Sequence, residues 1–254
     1  MPRIDPALFD AFNWAWIGLA GVVFVSLLCV TAPYGRHLRA GWGPLLPARL
    51  GWMLMEAPAL LLVALGLTSG SRPLDTYSVV LGAMFLGHYV NRTLIFPLRL
   101  PRASRPMPLS IVLSAVFFNL VNGSLQGLWL GELAPSPVTL RLTEPRIALG
   151  VALFLAGAAI NLQSDAILRR LRRDSSDYRV PQGGLFRYVS CPNYFGEIVE
   201  WTGFALVMGA LPGLAFLAWT LANLVPRALE HQRWYRATFP DYPRERRALV
   251  PFLF

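Results

Sequence analysis

The 254-residue chain has no lysine, two cysteines, three histidines and only 15% charged residues. Each shortage excludes something. A soluble domain of this size carries about a quarter charged residues. With 55% hydrophobic residues and a positive mean hydropathy, an ordinary soluble globule is excluded. Cys29 and Cys191 are too few for a disulfide framework or a Cys/His metal site, and read as small apolar fillers. No HExxH motif, facial carboxylate set, P-loop or Gly-rich dinucleotide fingerprint is present. The QGG at Gln182 to Gly184 is only a turn signal. The histidines lack Ser and Asp partners at the spacing of a hydrolase triad. No internal repeat, low-complexity tract or long polar linker divides the chain, so residues 1–254 read as one domain.

What is present is apolar sequence in long blocks. Windows near 14–31, 50–67, 77–97, 109–130, 147–166, 194–210 and 212–229 are each long enough to cross about 30 Å of hydrocarbon as helix. The leader MPRIDPALFD is close to neutral, unlike a signal peptide, so the first span is expected to be retained. The fold class that follows is an all-α integral membrane protein, a seven-transmembrane-helix bundle. The longest connection, about 167–193, is rich in specific polar groups and is expected to form an ordered cytoplasmic cap.

The basic residues are all arginine, 23 of them, and they are placed asymmetrically. Eighteen fall in the connections after spans one, three, five and seven, including Arg36, Arg39 and Arg49, and Arg99, Arg102 and Arg105. The other side has Arg3, Arg72, Arg141 and Arg146, and Arg92 lies within span three. The positive-inside rule puts the N-terminus outside and the C-terminus in the cytoplasm. The net charge of +9 therefore reflects topology and implies no nucleic-acid partner. Arginine to the exclusion of lysine favours a high-GC bacterium and its inner membrane; a eukaryotic relative would sit in the endoplasmic reticulum.

Several polar groups lie at membrane depth, where a charge costs at least about 2.5–3.5 kcal/mol and normally faces a bundle interior. Glu56 interrupts LGWMLMEAPALLLVALGL, two residues before Pro58. Span three carries His88, Tyr89, Asn91 and Arg92 within two turns. On span five, Asn161 and Asp165 share a helix face that continues to Arg169 and Arg172. Span six opens with Asn193, Glu197 and Glu200, which could simply complement a helix N-terminus. Arg227, His231 and Tyr235 are four apart, again on one face. Together these groups ring one cavity open to the cytoplasm, suited to an elongated ligand with anionic groups at one end.

The stretches HYVNRT, NGSLQG, INLQSDAILRRLR, YRVPQGGLFRYVSCPNYFGEIVEW and FPDYPRERRALVPF resemble those of the steroid 5α-reductases, the NADPH-dependent 3-oxo-5α-steroid 4-dehydrogenases. The likeness runs from about Pro33 to the last residue. It implies a seven-helix fold holding NADPH toward the cytoplasm, with a steroid against the nicotinamide. It implies that Glu56 and Tyr89 hydrogen-bond the steroid 3-oxo group and that Trp52 lines the steroid pocket. Asn161, Asp165, Arg172, Tyr178, Arg179, Asn193, Glu197, Arg227, His231 and Tyr235 are implied to hold the cofactor, and Arg36, Arg92 and Arg105 to reach its phosphates. Animal family members carry Gln where this sequence has Met55, which removes an amide beside the glutamate.

The chemistry fits the residues. When hydride adds to C5 of a 3-oxo-Δ4 steroid, negative charge develops on the carbonyl oxygen, where donors stabilise the transition state more than the ground state. Tyr89 can donate through its hydroxyl, and Glu56 as a carboxylic acid, the form that costs less than a carboxylate at this depth. The arginines at 169–173 with Arg179 suit the ribose phosphate that distinguishes NADPH from NADH. Two alternatives remain open on sequence: a related membrane enzyme acting on another enone or enoyl lipid, or on an isoprenylcysteine with S-adenosylmethionine, and a non-enzymatic sterol-binding protein. The partners expected are a 3-oxo-Δ4 steroid or similar lipid and membrane lipids, with no obligate protein partner.

Overall fold

Seven long helices account for most of the chain in the computed structural model, which describes residues 4–101, 104–135, 138–173 and 178–254. Arg3 and Arg102, counted in the charge asymmetry, lie outside the described residues, as does the Arg173 side chain. The helices are α1 (Pro6–Cys29), α2 (Ala48–Ser69), α3 (Thr76–Leu98), α4 (Leu109–Leu133), α5 (Pro145–Arg173), α6 (Pro192–Met208) and α7 (Leu211–Thr238). The first five are long and apolar enough to cross a membrane. α6 has only 17 residues, and α7 carries Asn223 and Arg227 within its apolar part, so length and composition establish five spans among the described residues.

The helix limits differ from the expected windows for local reasons. α1 begins well before residue 14 because Asp5 caps it, accepting from the Ala7 N–H at 2.9 Å, with Pro6 in the first turn. α5 runs 29 residues, about 44 Å at 1.5 Å per residue. It therefore outlasts a hydrocarbon core of about 30 Å and carries its arginines beyond it. α7, with 28 residues, does the same for His231 and Tyr235. α3 widens into a π-helical turn over Asn91–Ile95, where the Phe96 N–H reaches back to the Asn91 carbonyl. Pro97, which has no N–H to give, follows immediately.

Glycine sets how closely the helices approach. A Cβ on Gly66 would collide with the Gly127 carbonyl across the α2–α4 contact, and one on Gly157 with the α6 backbone at Glu200 across the α5–α6 contact. Phe85, Tyr89, Trp201, Phe204 and Phe216 fill the centre between α3, α6 and α7. α6 and α7 join through Gly209, whose φ of 62° ends α6 in the left-handed region that favours glycine.

The connection at the arginine-rich end is ordered where described. Its backbone pairs with the C-terminal segment: Ser190 N–H donates to Arg247 O at 2.8 Å, and Arg247 N–H to Tyr188 O at 2.9 Å. Buried Arg246 donates to Pro181 O (2.9 Å) and Gln182 Oε1 (2.7 Å). A two-residue ribbon, β1 (Leu45–Leu46) with β2 (Met107–Pro108), joins the approaches to α2 and α4.

Candidate functional site

A cavity of about 320 Å³ opens at the arginine-rich end, between α2, α3, α5, α6, α7 and the segment after α1. Its lining includes Arg36, Trp52, Arg92, Arg105, Asp165, Arg172, Tyr178, Arg179, Asn193, Glu197, Arg227, His231 and Tyr235. These thirteen of the sixteen residues implied to bind cofactor or substrate thus face one space. Glu56, Tyr89 and Asn161 do not line it.

One wall is polar and cross-linked. Asn161 on α5 donates through Nδ2 to Asn193 O (3.0 Å) and Glu197 Oε2 (3.3 Å) on α6. Asn193 Nδ2 donates to Asp165 Oδ1 at 3.4 Å, and Asp165 Oδ2 lies 3.8 Å from Arg92 on α3. Asn161 therefore acts behind the lining, holding the α6 groups in place. The Arg92 guanidinium also lies over the rings of Trp52 (4.7 Å) and Phe96 (5.1 Å). Arg92 and Phe96, four apart on α3, both line the cavity.

Tyr34, Gly35 and Arg36 also line the cavity, in a segment from Ala32 to His37 held by one face of α7 over three successive turns. Arg227 donates to Ala32 O (2.8 Å) and Tyr34 O (2.9 Å) and lies over the Tyr34 ring. One turn on, His231 Nδ1 sits 3.0 Å from His37 Nε2, with the Tyr194 hydroxyl 3.3 Å from His231 Nε2. A further turn on, Tyr235 accepts from Arg36 at 3.1 Å. The i, i+4, i+8 face visible in the sequence is real, and it organises this segment as well as facing the cavity. Burial, then Arg227 and Arg36, push the His37 imidazole down to about 4. Burial, then Arg36 and Arg227, also push His231 well below its ordinary value. The imidazole pair is neutral near pH 7, one ring donating to the other.

Arg36 is the unusual cation. Its guanidinium lies 4.5–4.6 Å from the rings of Tyr235 and Trp234 and 5.3 Å from that of Tyr178. One of its terminal nitrogens is buried with no partner among the described residues. The Arg105 guanidinium lies against the same Tyr178 ring, at 5.2 Å. Of the cluster at 169–173, Arg169 and Arg172 line the cavity and Arg170 does not. An orphaned buried donor among aromatic faces, with further arginines around it, fits the phosphates and rings of a dinucleotide.

Glu56 and Tyr89 lie one turn deeper than the lining residues Trp52 and Arg92 on the same helices, in the apolar middle of the bundle. Glu56 is half-buried and Tyr89 buried. Both bond to Asn119 on α4: Tyr89 Oη donates to Asn119 Oδ1 at 3.2 Å, and Asn119 Nδ2 donates to Glu56 Oε2 at 3.2 Å. Met55 packs on Met107 and Val112, away from Glu56, so the amide that reaches the glutamate comes from α4.

Two groupings of polar residues go beyond what the sequence brings together. Asn119, Asn122 and Gln126 form a buried polar stripe on α4, and their spacing of three and four within an apolar run was a usable signal. Glu200, expected at a helix N-terminus, instead meets His88 Nδ1 at 2.9 Å, deep in the bundle. Nothing local in the sequence announces a pair 112 positions apart.

Comparison with known proteins agrees with this picture. A family model described as 3-oxo-5-alpha-steroid 4-dehydrogenase matches residues 105–254. The chain is 41% identical to the steroid 5-alpha-reductase of Gossypium hirsutum, over 98% of this chain and 99% of that protein. It is 41% identical to 3-oxo-5-alpha-steroid 4-dehydrogenase 1 of Bos taurus over the full length of both, and 42% identical to the Homo sapiens protein of that name over 98% and 97%. The chain belongs to the 3-oxo-5-alpha-steroid 4-dehydrogenase family.

Proposed function

We propose that this protein reduces the C4–C5 double bond of a 3-oxo-Δ4 steroid to the 5α product at the expense of NADPH. The observation that carries the reading is a carboxyl and a phenol sharing one amide at apolar depth, directly beneath a cation-rimmed cavity. A flat apolar substrate with one carbonyl suits the deep end, and a dinucleotide suits the rim. Relatives named for this reaction match over nearly their whole length.

Bound in the cavity, NADPH would supply a hydride for C5, and C4 would take its proton from solvent. Asp165, Asn193 and Glu197, braced by Asn161, with Tyr178, Arg227, His231 and Tyr235 form the walls that hold it. Arg36, Arg92 and Arg105 are cations for its phosphates, and Arg172 and Arg179 read the ribose phosphate. Trp52 lies between the cavity and the steroid. Glu56, as the acid, and Tyr89 donate to the 3-oxo oxygen, and both bonds strengthen as charge develops there.

The seven helices all span, with the N-terminus outside and the C-terminus in the cytoplasm. The eighteen-to-four arginine split supports this. Tags at the N-terminus and near Thr139 are then reachable only from outside, and a cytoplasmic N-terminal tag overturns the count. The direct test of activity is to incubate purified protein with NADPH and testosterone. Formation of the 5α-dihydro product is expected; NADPH binding with no reduction of the enone overturns the reading.

A further inference from the structure

Asn119 occupies a position that neither the cavity lining nor the comparisons assign. It is buried, on α4, and touches both members of the proposed carbonyl-binding pair. The orientation of its amide is fixed by chemistry. Asn119 Nδ2 lies 2.6 Å from the Met55 carbonyl, which can only accept, so this end of the amide is the NH₂. The oxygen therefore faces Tyr89, whose hydroxyl must donate to it.

The same logic holds at the far end of the stripe. Gln126 Nε2 lies 2.8 Å from Pro212 O, again an acceptor only, and 3.4 Å from Asn122 Oδ1. Asn122 must then present its NH₂ to the Tyr89 oxygen, 3.4 Å away. Every donor in the series Gln126, Asn122, Tyr89, Asn119 points the same way, and the series ends on Glu56 Oε2.

We infer that Asn119 is a positioning residue for the reduction, which orders Tyr89 and Glu56 together and leaves Oε1 as the protonated, donating oxygen of the glutamic acid. An acid whose Oε2 accepts from an amide carries its proton on the other oxygen, where it is free for a substrate carbonyl. Asn122 keeps donating to the phenol oxygen when Tyr89 turns its O–H from Asn119 to that carbonyl. The inference rests on the roles proposed above for Glu56 and Tyr89. Asn119 also ties α4 to α2 near Pro58, so a purely architectural role is the competing explanation, and the test separates the two.

The experiment is single-turnover reduction of testosterone by the full chain with NADPH, in Asn119→Ala and in Asn119→Leu, which keeps the volume. Both variants are expected to bind NADPH as the parent does and to transfer hydride about 10- to 100-fold more slowly, the cost of misplacing a reacting group. In a Tyr89→Phe background the Asn119 substitutions should cost only a small part of that, because the two residues act as a unit. Parent-like rates in either variant, equal costs in both backgrounds, or failure of both variants to accumulate as NADPH-binding protein overturn the inference. If Glu56→Ala itself reduces testosterone at the parent rate, the reading of the pair fails. If Glu56→Ala is slow and the Asn119 variants are not, only the role of Asn119 fails.

Discussion

Two arginines, Arg72 buried at one end of the bundle and Arg36 half-buried at the other, have opposite surroundings. Arg72, at the arginine-poor end, gives all three guanidinium nitrogens to acceptors. Nε donates to Ala134 O (3.1 Å), one terminal nitrogen to Ser78 and Leu130 O, and the other to Asp75 (2.5 Å) and Pro135 O (2.7 Å). Arg36, at the other end, has one hydroxyl partner, three aromatic faces and a buried nitrogen with nothing to bond among the described residues. A polar group that is fully satisfied by its own chain is architecture. One that is preorganised and left wanting an anion is a binding site.

The largest effect expected from this contrast is on stability at the Arg72 end. Arg72→Ala takes the cation from Asp75 and the donor from the Leu130, Ala134 and Pro135 carbonyls, and each buried acceptor left unsatisfied costs about 1–3 kcal/mol. Unfolding in detergent should show a markedly lower midpoint, while NADPH affinity per folded molecule stays at the parent value. A variant as stable as the parent would show that the cluster is incidental.

Next comes chemistry without stability. Glu56→Ala should lower turnover about 10²–10³-fold, the usual cost of one donor to a developing oxyanion, with NADPH binding intact. Glu56→Gln keeps an NH₂ donor and should retain more. Tyr89→Phe should lose activity in the same range. Steady-state kinetics on a 3-oxo-Δ4 steroid and a direct cofactor titration together decide it: a well-folded Glu56→Ala protein with parent turnover removes the residue from the mechanism.

How much of this was legible beforehand follows from what sequence encodes locally. The middle helices and the shared faces of Asn161 with Asp165, and of Arg227 with His231 and Tyr235, depend on spacing along one helix and could be read. What those faces meet could not. That Arg227 holds the Ala32 and Tyr34 carbonyls depends on packing between residues 193 and 195 positions apart. The π-helical turn at Asn91 is invisible because NRTLI reads as ordinary helix. The α4 stripe was readable, but amides in an apolar run draw less attention than charges. The glutamate beside Met55 suggested a missing partner, and only the fold shows Asn119 arriving from the next helix.

A smaller effect sharpens the Arg36 side of the contrast. If its unpartnered nitrogen waits for a phosphate, Arg36→Ala should weaken NADPH and NADH alike, roughly tenfold or more for a lost charge-assisted bond of about 1.5–3 kcal/mol. Arg172→Ala or Arg179→Ala should instead narrow the preference for NADPH over NADH. Asp165→Ala and Asn193→Ala should weaken both cofactors. Fluorescence titration with the two cofactors distinguishes these patterns, and unchanged affinity in the Arg36 variant would mean that its aromatic box is structural after all.

The smallest effect uses pH to separate the two ends. Burial raises the Asp75 carboxyl, but the Val138 and Ser78 N–H groups, the Ser78 hydroxyl and Arg72 outweigh it and hold the group at about 2. A depressed carboxyl contributes stability above its ordinary value near 3.9, and loses it as pH falls toward 2. His37 is depressed to about 4, and for a base the window lies higher. Between pH 6.5 and 4 the unfolded chain binds a proton that the folded chain refuses, so stability falls with pH across that range. Each contribution should be at most about 1 kcal/mol, since partly exposed groups are screened. Lowering pH from 7 to 4.5 should therefore increase hydrogen exchange in the segment from Ala32 to His37 while the turn around Asp75 stays protected, and the Asp75 end should loosen only below about pH 4. His37→Asn should weaken the first response, leaving the share of His231, whose imidazole is also depressed, and should leave the second unchanged. Loss of protection at both ends in the same pH range would show that the two polar clusters unfold as one unit and that their different surroundings do not make them independent.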